Sequence, residues 1–385
     1  MLTVDAALSE HPLATHAVGE TVGQLLERGG PRPDLVTVFV TEPHLGGLDD
    51  VLSAVRHLLE PTVLLGASTR SVLGGGREVE DHAAFVVQAI WSDGAKVRPI
   101  RIDTVPGADG PRLRGLSALD GAVGTFVLLS DPFSLSAELA VGDLAVRAPG
   151  LAVIGGAASA ARRPGGNRLL LDAAVHDHGA VGALIDPSVP LATVVAQGSR
   201  PVGDPFTVTR AERNRLIELG GRPAFERLRE LLDALDERER TLAADGLQIG
   251  RAVDERHAEL RSGDFLVRSV LGADRELGAL AVGDEIPVGT TVQFQVRDPD
   301  AAVAELARSL HGLRAAGALC FVDVDRASSF HGEVDRNATV LSESLPGAAI
   351  AGAFCSGTIG PVGAVPALHD GAVSVALFGC EPIGW

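Results

Sequence analysis

Leu65-Gly66-Ala67-Ser68, Gly155-Gly156-Ala157-Ala158-Ser159 and Ala351-Gly352-Ala353-Phe354-Cys355-Ser356-Gly357 are three glycine-rich segments, and each follows or continues an apolar run, at 63–65, 151–154 and 348–350. A second apolar run lies upstream of each, at 36–40, 125–129 and 318–322, and a third lies downstream, at 83–90, 180–185 and 372–378. From Phe39 to Gly66, Val127 to Gly156 and Phe321 to Gly352 the gaps are 27, 29 and 31 residues. Gaps of that length hold a crossover helix between parallel strands. The chain therefore reads as one unit written three times: strand, helix, strand, glycine turn, strand. Such internal repetition decides the architecture before any local feature does. The expected fold class is α/β, with two lobes of repeated β-α-β-loop-β units and helices packed on mixed sheets.

Outward from these segments, Val18, Val22, Leu25 and Leu26 mark one stripe of a helix over 12–26, ended by Gly29-Gly30-Pro31. Leu48, Val51, Leu52, Val55, Leu58 and Leu59 give the crossover helix of the first copy. Those of the second and third copies are expected over 134–146, weakened by Gly142, and over 338–345. Thr209-Arg210-Ala211-Glu212 has the form of a capping box and predicts a helix that Gly220-Gly221 breaks. Pro223 predicts the start of a further helix, and Asp298-Pro299 of another. Residues 236–262 read as an exposed, charged insertion, and 264–271 and 291–297 as strands. The expected domains are 1–200, with two copies of the repeat, and 201–385, with the third.

Composition narrows the function. In 385 residues, 46% are hydrophobic and 22% charged, the profile of a globular protein. The net charge of −17 argues against nucleic acid and anionic membrane as partners, because both require a basic face. Lys96 is the single lysine among many arginines, a coding bias rather than a physical device. Cys320, Cys355 and Cys380 give neither a disulfide framework nor a zinc spacing. No charged and apolar leader opens the chain, and no apolar run approaches ~20 residues. A reduced, cytoplasmic protein without membrane insertion is expected.

The chemistry is expected in the glycine segments, where open amides can hold a carboxylate or a phosphate. Neither a Walker loop nor the dinucleotide pattern is present. Ser68, Thr69, Ser159, Ser356 and Thr358 line those segments, and Arg200 or Arg297 can meet an anionic group by a two-point fork. Cys355 is the single candidate nucleophile, with His331 or His369 as its activating partner, against the plainer reading of a small buried thiol. His176 and His178 stand two apart with no third ligand evident, so no metal site is expected. No cofactor is expected either, although a single axial histidine for a haem stays open from sequence alone.

At residues 197–209 (Gln197-Gly198-Ser199-Arg200-Pro201-Val202-Gly203 through Thr209) and 218–224 the chain resembles the junction of the FIST domains. Residues 264–268, 271–274, 292–298, Ile359-Gly360-Pro361-Val362-Gly363 and Leu368-His369 are similar to the C-terminal domain of that family. Gly66-Ala67-Ser68-Thr69 and the 155–159 segment resemble its N-terminal domain. The resemblance covers about residues 30–380. It implies a stand-alone bacterial protein of actinobacterial type: a sensory module that binds a small ligand, usually an amino acid or other small anion, and passes the signal to a protein partner. Some family members bind haem and respond to nitric oxide. Three loops depart from the family pattern. Gly357-Thr358-Ile359-Gly360-Pro361 replaces Gly-Glu-Ile-Gly-Pro, so a carboxylate that would meet a ligand amine is missing. Val322-Asp323-Val324-Asp325-Arg326-Ala327 replaces a Cys-x-Gly-Arg-Gly stretch, and Thr69-Arg70-Ser71-Val72 replaces Thr-x-Gly-Glu. The leading expectation is a small-ligand-binding sensor without catalysis. A haem-based nitric-oxide sensor, a thiol enzyme using Cys355 and an interaction scaffold with a degenerate pocket are the alternatives. A homo-oligomer is compatible with all of them.

Overall fold

A computed structural model describes residues 2–92, 94–107, 110–253 and 262–380. They fall into two compact units: Met1–Val195 with Leu306–Trp385, and Ala196–Glu305. In the first unit each copy of the repeat has the same wiring. A central strand (Leu35–Thr41, Gly124–Ser130, Gly317–Asp323) pairs in parallel with the strand after the crossover helix (Val63–Thr69, Leu151–Ala157, Ala349–Cys355). On its other side it pairs antiparallel with a return strand (Phe85–Trp91, Ala180–Ile185, Val373–Phe378). Strands Thr3–Ser9, Val97–Val105 and Leu191–Ala196 flank the return strands, and the short Arg112–Arg114 strand pairs outside the second of them. The crossover helices are Leu48–Leu59, Ala137–Arg147 and Arg336–Ser344. The first buries Val51, Leu52, Val55 and Leu59. The second starts at Ser136, whose side chain accepts from Leu139 N, and tolerates Gly142 where a Cβ would meet nothing.

Strand alternation sorts the side chains into layers. Leu35, Phe39, Leu65 and Ala67 of the first sheet meet Val127, Leu129 and Ile154 of the second and Leu319, Phe321 and Ala353 of the third in one shared core. Phe39 and Phe321 touch edge to face, with ring centroids 6.1 Å apart. The alternate residues Val36, Val38 and Val40 face outward, under the helices Ala14–Arg28 and Leu48–Leu59. Phe126, Leu128 and Val153 do the same under Ala137–Arg147.

The expected glycine turns are not turns. Gly66, Gly155, Gly156 and Gly352 lie inside the parallel strands, continuous with the ladder, and only Ala158-Ser159 and Ser356-Gly357 follow strand ends. A Cβ at Gly66 would stand 2.3 Å from Val38 O, and one at Gly352 2.3 Å from Cys320 O. Glycine is there so that the two strand backbones can approach.

The third copy belongs to the same unit as the first two, not to a second lobe. The reason is an exchange of hairpins. The hairpin after the first copy's parallel strand, Ser71–Gly74 with Arg77–Glu80, pairs with the third copy's parallel strand (Gly352↔Leu73). The second copy's hairpin, Leu169–Leu171 with Ala174–His176, pairs with the first copy (Gly66↔Leu170). The third copy's hairpin, Thr358–Val362 with Val365–His369, pairs with the second (Gly156↔Thr358). Each sheet is completed by another copy, and the exchange runs round in a ring.

The remaining unit is inserted in the third copy, between its edge strand Leu191–Ala196 and the helix Pro299–Leu310. Six antiparallel strands close on themselves in the order Thr291–Arg297, Phe206–Glu212, Arg215–Leu219, Ala279–Val282, Phe265–Asp274, Leu247–Ala252 and back to the first. Val208, Leu216, Leu219, Ile249, Leu280 and Phe294 fill the interior. The expected helix after Thr209 is therefore a hairpin. Burial of Val208, Leu216 and Leu219 on one face overrides the capping-box pattern, and Thr209 Oγ1 accepts from Gly221 N instead. The expected insertion over 236–262 holds the helix Glu237–Gly246, capped by Asp236 and Glu239, and the strand Leu247–Ala252; residues 254–261 lie outside those described. Incoming and outgoing chain are tied together: the Glu305 carboxylate accepts from Gln197 N at 3.2 Å and Gly198 N at 2.7 Å.

The first copy's hairpin also caps two helices of the third. Glu80 accepts from the N–H and hydroxyl of Ser328, each at 2.8 Å, and Glu78 accepts from Ala338 N at 2.8 Å. Burial pushes the Glu78 carboxyl up to about 7, against the pull of those amide bonds. A raised carboxyl stabilises the fold fully below its unfolded value of about 4.5 and no longer does so above about pH 7. Glu78→Gln keeps the acceptor and removes the charge. In urea denaturation it should match the wild type near pH 5 and exceed it above pH 7, by at most about 3 kcal/mol. Identical pH profiles for the two chains would contradict this placement.

Candidate functional site

The carboxyl ends of the parallel strands from all three copies are stitched together by Ser159. Its Oγ donates to Phe354 O of the third copy and accepts from Arg70 N of the first, at 2.5 and 2.9 Å. Its own N–H donates to Ser68 O. Ser68 Oγ accepts from Arg168 N at 2.8 Å, fastening the 160–168 loop to the first copy. Convergence of strand ends at this position is what a doubly covered sheet offers a ligand.

The expected cradle of open amides is closed. Ser68 N donates to Arg168 O, Ala157 N to Gly357 O, Ala158 N to Ser130 O, Ser356 N to Ala157 O, and Gly357 N to Asp323 Oδ2. Side chains are what remain. Thr69 and Thr358 are 1% and 0% exposed, and neither Oγ1 has a hydrogen-bond partner. A buried hydroxyl left unpaired costs about 1–3 kcal/mol. Ser68 is buried, whereas Ser356 is exposed to solvent.

Arg200 and Arg297 are not part of this cluster; both lie in the inserted unit. Arg200 is engaged there by Glu239 at 3.0 Å and by Asp298 at 3.3 Å. Asp298 is itself buried and accepts from Asp300 N and Ala301 N at the start of the next helix, so Arg200 braces a helix cap. His178 joins Asp177 at 2.7 Å and approaches Asp103 at 3.6 Å, and among the described residues no group of three metal-ligating side chains forms.

Cys355 is 1% exposed, and its Sγ contacts Ala353 O at 3.7 Å. Burial, with the Asp323 carboxylate beside it, pushes the thiol far above its ordinary value. His331 Nε2 stands 3.4 Å from Asn337 Oδ1 and His369 Nε2 3.0 Å from Gly360 O. A Cβ at Gly156 would lie 2.5 Å from the sulfur. A buried thiol of this kind is held protonated.

Asp323 was the residue to find. It ends the third central strand, paired in register with Cys355, and is 4% exposed. Its Oδ1 accepts from Asp325 N at 2.8 Å and its Oδ2 from Gly357 N at 3.1 Å. Burial, with Asp325 and Asp370 adding negative charge, pushes its carboxyl up to about 7. Thr41 and Ser130 occupy the same last position of the other central strands. An acid closing an apolar strand was the available signal.

The FIST N domain model matches residues 34–222, and the FIST C domain model matches residues 224–361. The chain belongs to the FIST family. It is similar to an uncharacterized protein of Mycobacterium bovis (Mb0898c), 38% identical over 376 residues, which are 95% of this chain and 96% of the relative. It is also similar to an uncharacterized protein of Mycobacterium tuberculosis (Rv0628c), 35% identical over 385 residues, 98% of this chain and all of the relative. FIST domains are associated with small-ligand sensing in signalling proteins. No helix among the described residues of this FIST protein is long and apolar enough to cross a membrane.

Two grooves of about 460 Å³ carry a histidine: one holds His57 among Asp49, Ser53 and Arg56, the other His16 beside Thr15 and Glu20.

Removing the Ser159 hydroxyl unpairs Arg70 N and Phe354 O together. Ser159→Ala should lower stability by about 1–3 kcal/mol in thermal denaturation. In the same assay Cys355 should resist iodoacetamide at pH 7.5 until denaturant is added; labelling of the native chain would contradict its burial.

Proposed function

We propose that this FIST protein is a small-ligand-binding sensor with no catalysis of its own, and that its ligand meets the strand ends gathered around Ser159. One observation carries the reading: three copies deliver their strand ends to one place, and that place keeps the buried hydroxyls of Thr69 and Thr358 without partners. A ligand that supplies their hydrogen bonds would tighten the exchange of hairpins between copies, because Ser159 touches all three. Occupancy would thus be felt across the ring and could be passed to a protein partner. The buried, basicity-deprived setting of Cys355 supports binding over thiol chemistry.

Native mass spectrometry with an absorption spectrum on gently purified protein tests this. An added small mass is expected, with no Soret band, and Thr69→Val should weaken its retention by about tenfold, the worth of one buried hydrogen bond. A retained ligand indifferent to Thr69→Val, Thr358→Val and Ser159→Ala would defeat the reading.

A further inference from the structure

The crossover helices of the second and third copies pack on the hairpin that each copy receives. Leu368 of one hairpin packs against the cluster that holds Ala140, Val141 and Leu144 of the second copy's helix. Glu78 of another accepts from Ala338 N in the first turn of the third copy's helix. In the first copy, Val175 of the hairpin packs against the cluster that holds Leu52 and Val55, and Arg56 Nη1 approaches Asp172 Oδ1 at 3.4 Å. Beside these contacts a groove of about 460 Å³ is left open, lined by Asp49, Leu52, Ser53, Arg56 and His57 of helix Leu48–Leu59 and by Ala173 of the hairpin turn. The helix residues recur at i, i+3, i+4, i+7 and i+8, so one face of the helix forms the wall.

Charge on this face is sorted by sign. Asp49 and Asp50 stand exposed in the first turn, and His57, exposed, and Arg56, half-buried, stand in the last. Among the described residues no ion pair reaches Asp49, Asp50 or His57. The signs suit the helix dipole, but that leaves them without partners on the wall of a groove. Between them lie Ser53 and Ala54, both small.

About Ser53 the pattern is self-complementary. Asp49 lies four residues before it and His57 four after; Asp50 lies three before and Arg56 three after. Turned about a twofold axis through Ser53, a second copy of the helix runs antiparallel and sets Asp49 against His57 and Asp50 against Arg56, twice over. A helix is about 10 Å across, too wide to sink into this groove, so the second helix lies along its mouth and inserts side chains over Leu52 and Ala173. Small residues at the centre let the two axes come to about 8 Å, the close end of helix packing. At net charge −17, two copies repel in most orientations, and this face gives the acidic end of each a cationic end to meet.

We propose that this face is a homodimer interface, in which helix Leu48–Leu59 of a second copy of this chain docks antiparallel across the groove with Ser53 at the twofold axis. The Arg56–Asp172 contact is a single exposed one, so sharing the guanidinium with Asp50 of the second copy costs little. The proposal is independent of the strand-end ligand site.

Sedimentation velocity of the full chain at low ionic strength tests it. Wild type is compared with Asp49→Arg/Asp50→Arg, with Arg56→Asp/His57→Asp and with Ser53→Arg, and melting curves confirm that each is folded. Ser53→Arg places two arginines together on the axis and removes no contact of the single chain, so it serves even where a charge reversal costs stability. Wild type should be dimeric at about 100 µM, the range that one helix face with exposed ion pairs supports. Each variant alone should self-associate at least about tenfold more weakly, and salt near about 1 M should weaken the wild-type dimer. An equimolar mixture of the two charge-reversed chains should recover dimer to within about threefold of wild type, because each then meets opposite charge at both ends of the helix. A wild type that stays monomeric leaves the groove to a different partner and overturns the proposal. So does a dimer indifferent to Ser53→Arg, or a pair of folded charge-reversed chains that do not combine.

Discussion

The ring of exchanged hairpins is the constraint on which the rest of this molecule depends. Each parallel strand has an open edge that its own copy does not cover. Antiparallel pairing with the next copy's hairpin satisfies that edge and removes a surface prone to association. Because the third hairpin returns to the second copy and the first to the third, no copy is complete alone. The shared core of Phe39, Leu129 and Phe321 then forms between sheets that are already held in register. The glycines follow from the same demand, since Gly66 and Gly352 lie where neighbouring backbones come too close for a side chain.

Much of this was legible in the amino-acid sequence, and what was not had physical reasons. Apolar runs at fixed spacing gave the strands of all three copies and their parallel pairing, because a buried strand must be apolar on both faces. Pro223 and Asp298-Pro299 opened helices as read. The exchange of hairpins was invisible, because pairing partners far apart in sequence leave no local mark; for the same reason the third copy was expected in a separate lobe. The helix expected after Thr209 failed because a four-residue capping pattern is weaker than closure of a six-stranded ring around Val208 and Leu219. Ser68, Thr69, Ser159 and Cys355, expected from the glycine segments, do lie at the ends of the parallel strands. Their role was partly misread, because glycine signalled close packing of backbones rather than free amides. Arg200 looked like an anion fork but braces a helix cap. Asp323 stood in plain view and was passed over, since only the folded chain brings it to the strand ends.

The strand-end region joins two kinds of strain in one place. Unpaired hydroxyls at Thr69 and Thr358 and a buried acid at Asp323 are each unfavourable alone. They persist because the ring around them is over-determined, with Ser159 bonded to the first and third copies at once. Local cost held by a rigid frame is the usual setting of a binding position.

The inserted unit leaves and rejoins the third copy through neighbouring residues, with Glu305 holding Gln197 and Gly198. A module whose two ends meet behaves like a cassette. It can be lengthened, trimmed or exchanged without re-threading the ring, because the strands on either side never learn how much chain lies between them. The strand ends and the cassette can therefore change independently of one another.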